Sequence, residues 1–197
     1  MKEIKTINLC KSYSKNIIFK NLNLTLNSNN VYFLISENGS GKTTFFKCLL
    51  SETKYSGKVL DDNIIYSYLP DKVKLPFYVT VINFLNMFLS VDYKINSEDF
   101  VDKYLRIFDI LKYKNRFMHE LSKGTKQKVL IIKTLLSNAD VYLFDEPLAG
   151  LDYNSRRCFM NELKLLQEKN KIVVIASHYY NDYNFSNKKV IEIDENN

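Results

Sequence analysis

The chain has 197 residues, of which 46% are hydrophobic and 25% are charged, and its formal net charge is +6. Its length suits one globular domain, and it has neither an apolar run of about 20 residues that could cross a bilayer nor a signal-peptide core, so we expect a cytoplasmic protein. Because the lysines are spread along the chain, the positive charge predicts a solvated basic surface and no nucleic-acid partner.

The first half of the chain predicts two strands and a phosphate-binding loop. Residues 22–26 alternate between apolar and polar, as in a half-buried strand, and Val31–Ile35 is a continuous apolar strand. Residues 37–44 contain two glycines and precede a segment, 45–50, that we predict to be helical. A strand, a glycine-bearing turn and a helix N-terminus form the context in which backbone N–H groups bind phosphate. The candidate nucleotide ligands are Asn38, Gly39, Ser40, Gly41, Lys42, Thr43 and Thr44.

Two side chains of this loop have specific predicted roles. Lys42 would reach the β- and γ-phosphates of a nucleotide, and the Thr43 hydroxyl would be a ligand of Mg²⁺. The usual pattern G-x-x-x-x-G-K-[ST] has glycine where this chain has Ser36. A side chain there would be strained if the backbone has a positive φ. The loop therefore predicts a Mg²⁺–nucleotide site with one altered position.

The middle of the chain changes from strand to helical periodicity. Residues 64–69 predict another strand. Between residues 79 and 113 the apolar residues recur at helical spacing, and Ser97 is placed to cap the second helix. We therefore expect one domain, 1–197, interrupted by a helical subdomain at about 72–137.

Strands and helices alternate in the second half of the chain. They are predicted at 129–136 (helix), 140–145 (strand), 154–169 (helix), 172–176 (strand) and 190–193 (strand). Continuous apolar strands that alternate with helices indicate a parallel α/β sheet covered on both faces. Ligands bind at the carboxyl ends of such strands. Ser36, Asp145 and Ser177 follow strand ends, so we expect them at one edge of the sheet.

Two carboxylates end the strand at 140–145. In a nucleotide hydrolase with a phosphate-binding loop, the first acid at this place, here Asp145, holds Mg²⁺, and the second, Glu146, orients the attacking water. The alternative is a strand that simply ends in an acidic turn.

The segment 121–128, Leu-Ser-Lys-Gly-Thr-Lys-Gln-Lys, lies about 20 residues before Asp145. Here the chain resembles the ATP-binding cassette (ABC) family, which carries an L-S-G-G-Q-like signature between its phosphate-binding loop and a strand that ends in Asp-Glu-Pro. The resemblance covers nearly the whole chain. It implies an α/β fold: a phosphate-loop nucleotidase core with a mostly parallel sheet, an N-terminal antiparallel β portion and a helical insert. In this family Ser122 and Gly124 would meet the γ-phosphate bound by a partner subunit.

The resemblance implies roles for four further residues. Tyr13 would stack on adenine, His178 would contact the γ-phosphate, and Asp152, in a segment that resembles the family's D-loop, would contact the opposite subunit. The alternatives are a surface tyrosine, a structural histidine and a cap of the following helix. Asp71 stands where the family has a glutamine; it would either reach Mg²⁺ or the attacking water, or be an inert turn residue.

The function implied is ATP hydrolysis by a dimer of this chain with an identical or related subunit. Two Mg·ATP would be sandwiched between the subunits, with Glu146 as general base and Lys42 stabilising charge on the transferring phosphoryl group. A separately encoded membrane permease would receive the motion, so the subunit would lie on the inner face of the cell membrane. The segment 73–78 is expected to line the groove for a permease helix, or to pack within the insert. The length and the L-S-K-G variant resemble bacterial exporter cassettes.

Two other functions remain open at this stage. One is a non-transport ABC ATPase that acts on ribosomes or DNA, although such cassettes usually occur twice in one chain. The other is a nucleotide-binding regulatory subunit with little turnover. Ser36 and Asp71 favour this second alternative, whereas Glu146 and His178 speak against it. Lys123 and Thr125 also depart from the family signature.

Overall fold

The computed structural model describes residues 2–35, 41–89, 97–178, 180–183, 185 and 188–193. The chain divides into two compact units. The first comprises Met1–Pro70, Ala139–Glu146 and Lys164–Asn197. The second comprises Asp71–Asn138 and Pro147–Leu163.

Strands and helices follow in this order. The strands are β1 Glu3–Tyr13, β2 Asn16–Asn27, β3 Val31–Ile35, β4 Ser56–Leu60, β5 Tyr66–Leu69, β6 Val141–Asp145, β7 Ile172–Ala176 and β8 Lys188–Glu192. The α-helices are α1 Lys42–Leu49, α2 Val81–Asn86, α3 Ser97–Ile107, α4 Lys123–Leu136 and α5 Tyr153–Glu168. Short 3₁₀ turns lie at Leu111–Tyr113, Met118–Glu120 and Tyr180–Asp182.

A five-stranded parallel sheet forms the centre of the first unit, in the order β5-β6-β7-β3-β8. Asp145 at the end of β6 pairs with Ala176 at the end of β7, and Leu34 of β3 pairs with the same Ala176. The carboxyl ends of these strands therefore share one edge. Asp145 and Ser177 lie at that edge as expected, whereas Ser36 lies outside the described residues.

A second, antiparallel sheet has the order β2-β1-β4. The register of β1 with β2 shifts between Thr6 and Leu9, where Asn8 adopts a positive φ of 48°. This bulge breaks the alternation of buried and exposed residues, because Ile7 and Asn8 are both exposed. The sequence pattern therefore did not predict β1. It missed β4 as well, because that strand is mostly exposed.

Helix α1 covers the core of the first unit with two aromatic side chains. Phe45 and Phe46 are fully buried, and their rings pack edge-on against Phe19 and Tyr68 with centroids 6.4 and 5.8 Å apart. Burying a phenylalanine stabilises a fold by about 1.5–3 kcal/mol. This packing holds the N-terminus of α1 next to the sheet edge that carries Asp145.

The second unit is mainly helical. Thr80 caps α2 by accepting a hydrogen bond from the Asn83 N–H at 3.4 Å. Helix α3 is described from Ser97 onward, and the predicted capping role of this serine stays a prediction. Helix α4 begins at residue 123, earlier than the apolar pattern at 129–136 indicated, because its first turn is polar. No helix among the described residues is both long and apolar enough to cross a membrane.

We predict that Gly57→Ala destabilises the antiparallel sheet. Gly57 has a φ of +90°, and a Cβ there would lie 2.2 Å from the backbone oxygen of Asn8 at the β1 bulge. The clash is with backbone that cannot move aside, so the free energy of unfolding should fall by about 1–3 kcal/mol. Urea unfolding would measure this. The neighbouring Ser56→Ala, at an exposed position, is the control and should change stability by less than about 0.5 kcal/mol. Equal effects of both substitutions would contradict the prediction.

Candidate functional site

The N-terminus of α1 follows a glycine in a left-handed conformation. Gly41 has φ 111° and ψ 4°, and its carbonyl oxygen accepts the first helical hydrogen bond, from the Phe45 N–H at 2.7 Å. A Cβ on Gly41 would approach the side chain of Ile18 to 2.3 Å. A positive φ and the close approach of Ile18 therefore both require glycine at this position. Ser36, Asn38, Gly39 and Ser40 lie outside the described residues, so their roles stay predictions.

Lys42 is the first residue of α1 and is only 8% exposed. Burial lowers the pKa of its ammonium group, and the nearby carboxylates of Glu146 and Asp145 oppose that effect. A partly desolvated cation at a helix N-terminus interacts strongly with an anion, because little water screens the charge. Lys42 is thus electrostatically suited to the predicted contact with phosphate.

Thr43 and Asp145 meet directly. The Thr43 hydroxyl donates a hydrogen bond to Asp145 Oδ2 at 2.6 Å, and the Tyr68 hydroxyl lies 3.4 Å from the same oxygen. Asp145 is buried, whereas Thr43 is exposed. The structure therefore brings together two of the three predicted protein ligands of Mg²⁺, Thr43 and Asp145. Thr44 is half-buried beside them.

The chemistry of these donors fits Mg²⁺. A hydroxyl and a carboxylate are hard oxygen ligands, and Mg²⁺ commonly takes only one or two carboxylates and completes its shell with water and substrate phosphates. Within the described ranges no cluster of three or more His, Cys, Asp or Glu side chains could hold a metal on its own. The fit is therefore to a metal that enters with a nucleotide, and Thr43 and Asp145 are the residues that would hold it.

Glu146 is held at the same sheet edge in a fixed conformation. Its backbone has a positive φ of 49°, and its N–H donates to the Ala176 carbonyl at 2.9 Å. Glu146 Oε1 accepts a hydrogen bond from the His178 backbone N–H at 3.1 Å and lies 3.5 Å from His178 Nε2. The Ser177 hydroxyl donates to the other carboxylate oxygen at 3.5 Å. These contacts fix a strained residue in place, as is common at functional sites.

Burial also changes the acidity of Glu146. It raises the pKa of the Glu146 carboxyl, and the neighbouring His178 opposes this shift. A carboxylate with a raised pKa is a better proton acceptor than a fully solvated one. The structure thus brings together Glu146 and His178, two of the predicted catalytic residues, just after the carboxyl ends of the adjacent strands β6 and β7.

Tyr13 ends β1 and is 47% exposed. The ammonium group of Lys11 lies 4.2 Å from the centroid of its ring. A half-exposed ring at a strand end can stack on a planar base. The stacking role of Tyr13 stays a prediction.

In the second unit, Ser122 caps α4. Its hydroxyl oxygen accepts a hydrogen bond from the Thr125 N–H at 3.2 Å, and the two hydroxyls lie 2.9 Å apart. Thr125, which replaces the signature glutamine, therefore supports the cap. Gly124 approaches the Gly150 carbonyl oxygen so closely that a Cβ would lie 2.7 Å from it. The glycine of the signature is thus required by the backbone of the segment that resembles the D-loop.

Two further contacts join α4 to that segment. The Gln127 side chain donates to the Pro147 carbonyl at 3.2 Å, and the Lys128 ammonium lies 2.8 Å from Asp152 Oδ2. The other oxygen of Asp152 accepts from the Ser155 N–H at 2.8 Å and so caps α5. The cap is confirmed, and the contact of Asp152 with another subunit stays a prediction.

Asp71 is exposed in the turn that follows β5. It begins the second unit, and its role toward Mg²⁺ stays a prediction. Sequence reasoning missed Tyr68 and Lys128 as supporting residues, and it placed Ser177 at the sheet edge without its contact to Glu146. The sequence positions of Tyr68 and Lys128 could have indicated both residues. Tyr68 lies next to the end of a predicted strand, and Lys128 follows Gly124 by one helical turn.

The sequence profile of the family described as ABC transporter matches residues 19–149. The zinc import ATP-binding protein ZnuC of Rickettsia conorii is 30% identical over 176 residues, which cover 87% of this chain and 74% of that protein. The nickel import ATP-binding protein LarO of Lactiplantibacillus plantarum is 28% identical over 199 residues, which cover 90% and 83%. Both names state import, so the expected exporter type gains no support from these relatives.

A solved structure of an ATP-binding subunit of an ABC transporter has a TM-score of 0.82 against this chain at 20% identity. The alignment covers 91% of this chain and 80% of that one. At this identity the likeness concerns the fold. It confirms the predicted α/β class with a parallel sheet and an antiparallel β portion.

We predict that Asp152 stabilises the second unit through both of its oxygens. Asp152→Ala removes the α5 cap and the Lys128 ion pair and should lower the free energy of unfolding by about 1–2 kcal/mol. Asp152→Asn keeps a capping oxygen and should cost less. Urea unfolding near neutral pH would compare the two substitutions, and equal costs would contradict a separate contribution from the cap.

The same variants predict a pH dependence. The Lys128 ammonium and the Ser155 N–H lower the pKa of Asp152 from 3.8 to about 2. Because the folded-state pKa is the lower one, the stabilisation is complete above pH 3.8 and is lost as the pH falls toward about 2. The stability difference between wild type and Asp152→Asn should therefore shrink over this interval. A difference that stays constant on acidification would show that charge is not involved.

Proposed function

Because the chain belongs to the ABC transporter family, we propose that it is the ATP-hydrolysing subunit of a transporter and drives a separate membrane permease. The family binds ATP, generally with Mg²⁺, and hydrolyses it. One observation carries the proposal: Asp145 and Glu146 are adjacent, yet each carboxylate has its own partner, Thr43 for the first and His178 for the second. This separation suits one acid for metal binding and the other for proton transfer.

In the proposed hydrolysis of ATP, each site residue of the first unit has a separate role. Thr43 and Asp145 would hold Mg²⁺, which when bound would supply charge neutralisation at the phosphate oxygens. Lys42 binds the β- and γ-phosphates and stabilises the negative charge that builds up on the transferring group. Glu146 accepts the proton of the attacking water, and the hydrogen bonds from His178 and Ser177 orient its carboxylate. Removing a single stabilising contact of this kind typically lowers the rate by about 10²–10³.

The second unit supports a dimeric arrangement. Ser122 and Gly124 lie at the N-terminus of a 14-residue helix, where the helix dipole and free N–H groups favour an anion. In the proposed dimer, these residues contact the γ-phosphate of the nucleotide that the other subunit binds. Asp152 lies in the segment that packs against this loop and contacts the same partner.

A surface of the second unit offers a place for the permease. Phe77 and Tyr78 are 66% and 81% exposed, and Phe117 is 41% exposed. The ring of His119 is stacked on both Phe77 and Phe117, with centroids 5.6 and 5.8 Å away. We call these four residues the aromatic surface. Exposed aromatic side chains that are already ordered suit an amphipathic helix of a partner, and docking there would hold the subunit at the inner face of the membrane.

The relatives guide the choice of transport reaction. The two named relatives act in zinc import and nickel import. They support import of a divalent metal ion as the first transport reaction to test.

The ATPase proposal predicts a separation of binding from hydrolysis in Glu146→Gln. The substitution removes the proton acceptor but keeps the shape of the side chain, so ATP turnover should fall by about 10²–10³ while ATP binding is retained. The rates would be measured on the chain co-expressed with its permease. Glu168→Gln removes an exposed carboxylate at the end of α5 and is the matched control, with an unchanged rate. A wild type that binds ATP but shows no turnover would favour the regulatory alternative.

The docking proposal predicts that Phe77→Ala and Tyr78→Ala weaken permease binding. Each removes an exposed ring from the aromatic surface, and truncation of a central aromatic contact typically weakens binding about tenfold or more. Ile65→Ala is the control, since Ile65 is a large apolar side chain that is 62% exposed in the first unit. Co-purification of the detergent-solubilised complex would measure binding. Full permease binding by both aromatic variants would sink the idea.

A further inference from the structure

Lys11 is a buried lysine of β1 that is held by neutral groups. It is 8% exposed, and its ammonium group donates to Thr53 Oγ1 at 2.7 Å and to the Lys54 carbonyl oxygen at 2.6 Å. Thr53 and Lys54 belong to the segment between α1 and β4. A lysine that is buried and tied at its end has lost most of its rotamer freedom, so its charge occupies a fixed position.

That charge lies over the ring of Tyr13. The distance from Lys11 Nζ to the ring centroid is 4.2 Å, well within the range of a cation–π interaction. Tyr13 is the last residue of β1 and precedes a turn at Ser14, which has a φ of 53°. A half-exposed ring at a strand end has few packing contacts of its own to select one rotamer. The anchored ammonium group supplies such a contact.

We propose that Lys11 is a positioning residue that orients the Tyr13 ring for stacking on the adenine base of ATP. The inference rests on the proposed function, in which Tyr13 contacts adenine. The ammonium group occupies one face of the ring and leaves the other face to the base. Its anchors at Thr53 and Lys54 follow α1, the helix whose N-terminus carries the phosphate-binding residues. Lys11 thus contacts both the ring that we propose binds the base and the segment that follows α1.

A purely structural role for Lys11 predicts a different result. If it only tied β1 to residues 53 and 54, its loss would disturb the whole first unit, including phosphate binding. If it orients Tyr13, its loss would affect only ligands that contain the base. Inorganic tripolyphosphate carries the phosphates without the base, so it separates the two roles.

The test compares MgATP with magnesium tripolyphosphate by calorimetric titration of the full chain. Lys11→Met keeps the aliphatic stem and removes the charge. ATP affinity should fall about threefold to tenfold, while tripolyphosphate affinity stays within about twofold of wild type. Lys20→Met, at an exposed position of β2, is the control and should change neither affinity. Equal weakening of both ligands, or an unchanged ATP affinity, would overturn the inference.

The chain contains no tryptophan, which permits a direct optical readout. In a Tyr13→Trp background the single indole reports stacking, and saturating ATP should quench its fluorescence. Adding Lys11→Met should reduce that quenching, and undiminished quenching would overturn the inference. If Lys11→Met does not fold, Thr53→Val removes one anchor and should give a smaller loss that is likewise confined to ATP. An equal loss for tripolyphosphate in Thr53→Val would overturn the inference.

Tyr13→Ala separates this inference from the function on which it rests. If Tyr13→Ala weakens ATP but not tripolyphosphate while Lys11→Met changes neither, only the role of Lys11 fails. If Tyr13→Ala also leaves ATP affinity unchanged, the stacking role of Tyr13 fails, and the inference falls with it. If wild type binds tripolyphosphate but not ATP, the proposed nucleotide specificity itself is wrong.

Discussion

The electrostatic balance between the buried Lys42 and the carboxylates of Asp145 and Glu146 is the interaction on which the site depends. Burial disfavours the charged forms of Lys42 and Glu146, and the opposite charges around each of them favour those forms. An isolated charge at this sheet edge would be costly, so the three groups are tolerable only together. Their proximity follows from the parallel sheet, because β6 ends beside β7 and α1 packs its phenylalanines against the core beneath.

The signature segment at the start of α4 differs from the family pattern at some positions and retains it at others, and the local contacts explain two of these positions. Thr125 stands where the signature has glutamine, and its N–H and hydroxyl both contact Ser122, so the cap of α4 is preserved. Gly124 keeps the one position where the backbone of Gly150 leaves no space for a Cβ. Thr125 is therefore an altered residue that the local geometry tolerates, and Gly124 is a retained residue that it requires.

Sequence reasoning succeeded where periodicity and strand ends carry the information. Val31–Ile35 and Ile172–Ala176 are found with the predicted bounds, because buried parallel strands are continuous apolar runs. Thr43 contacts Asp145, and Glu146 contacts His178, because the parallel strands that precede these residues end at the same edge of the sheet. The bulged β1 escaped prediction, since a bulge shifts the phase of the alternation.

The two buried lysines of the first unit show why a side chain's surroundings decide its use. Lys42 lies near two carboxylates at a helix N-terminus, so its charge is balanced by neighbours yet directed to a region that favours anions. Lys11 donates to two neutral oxygens and lies over an aromatic ring. Neutral acceptors hold an ammonium group without supplying an opposite charge. The positive charge of Lys11 therefore remains available to attract the ring of Tyr13. The sequence motif already marks Lys42 for the proposed contact with phosphate, whereas only the three-dimensional surroundings of Lys11 point to its proposed action on a neighbouring ring.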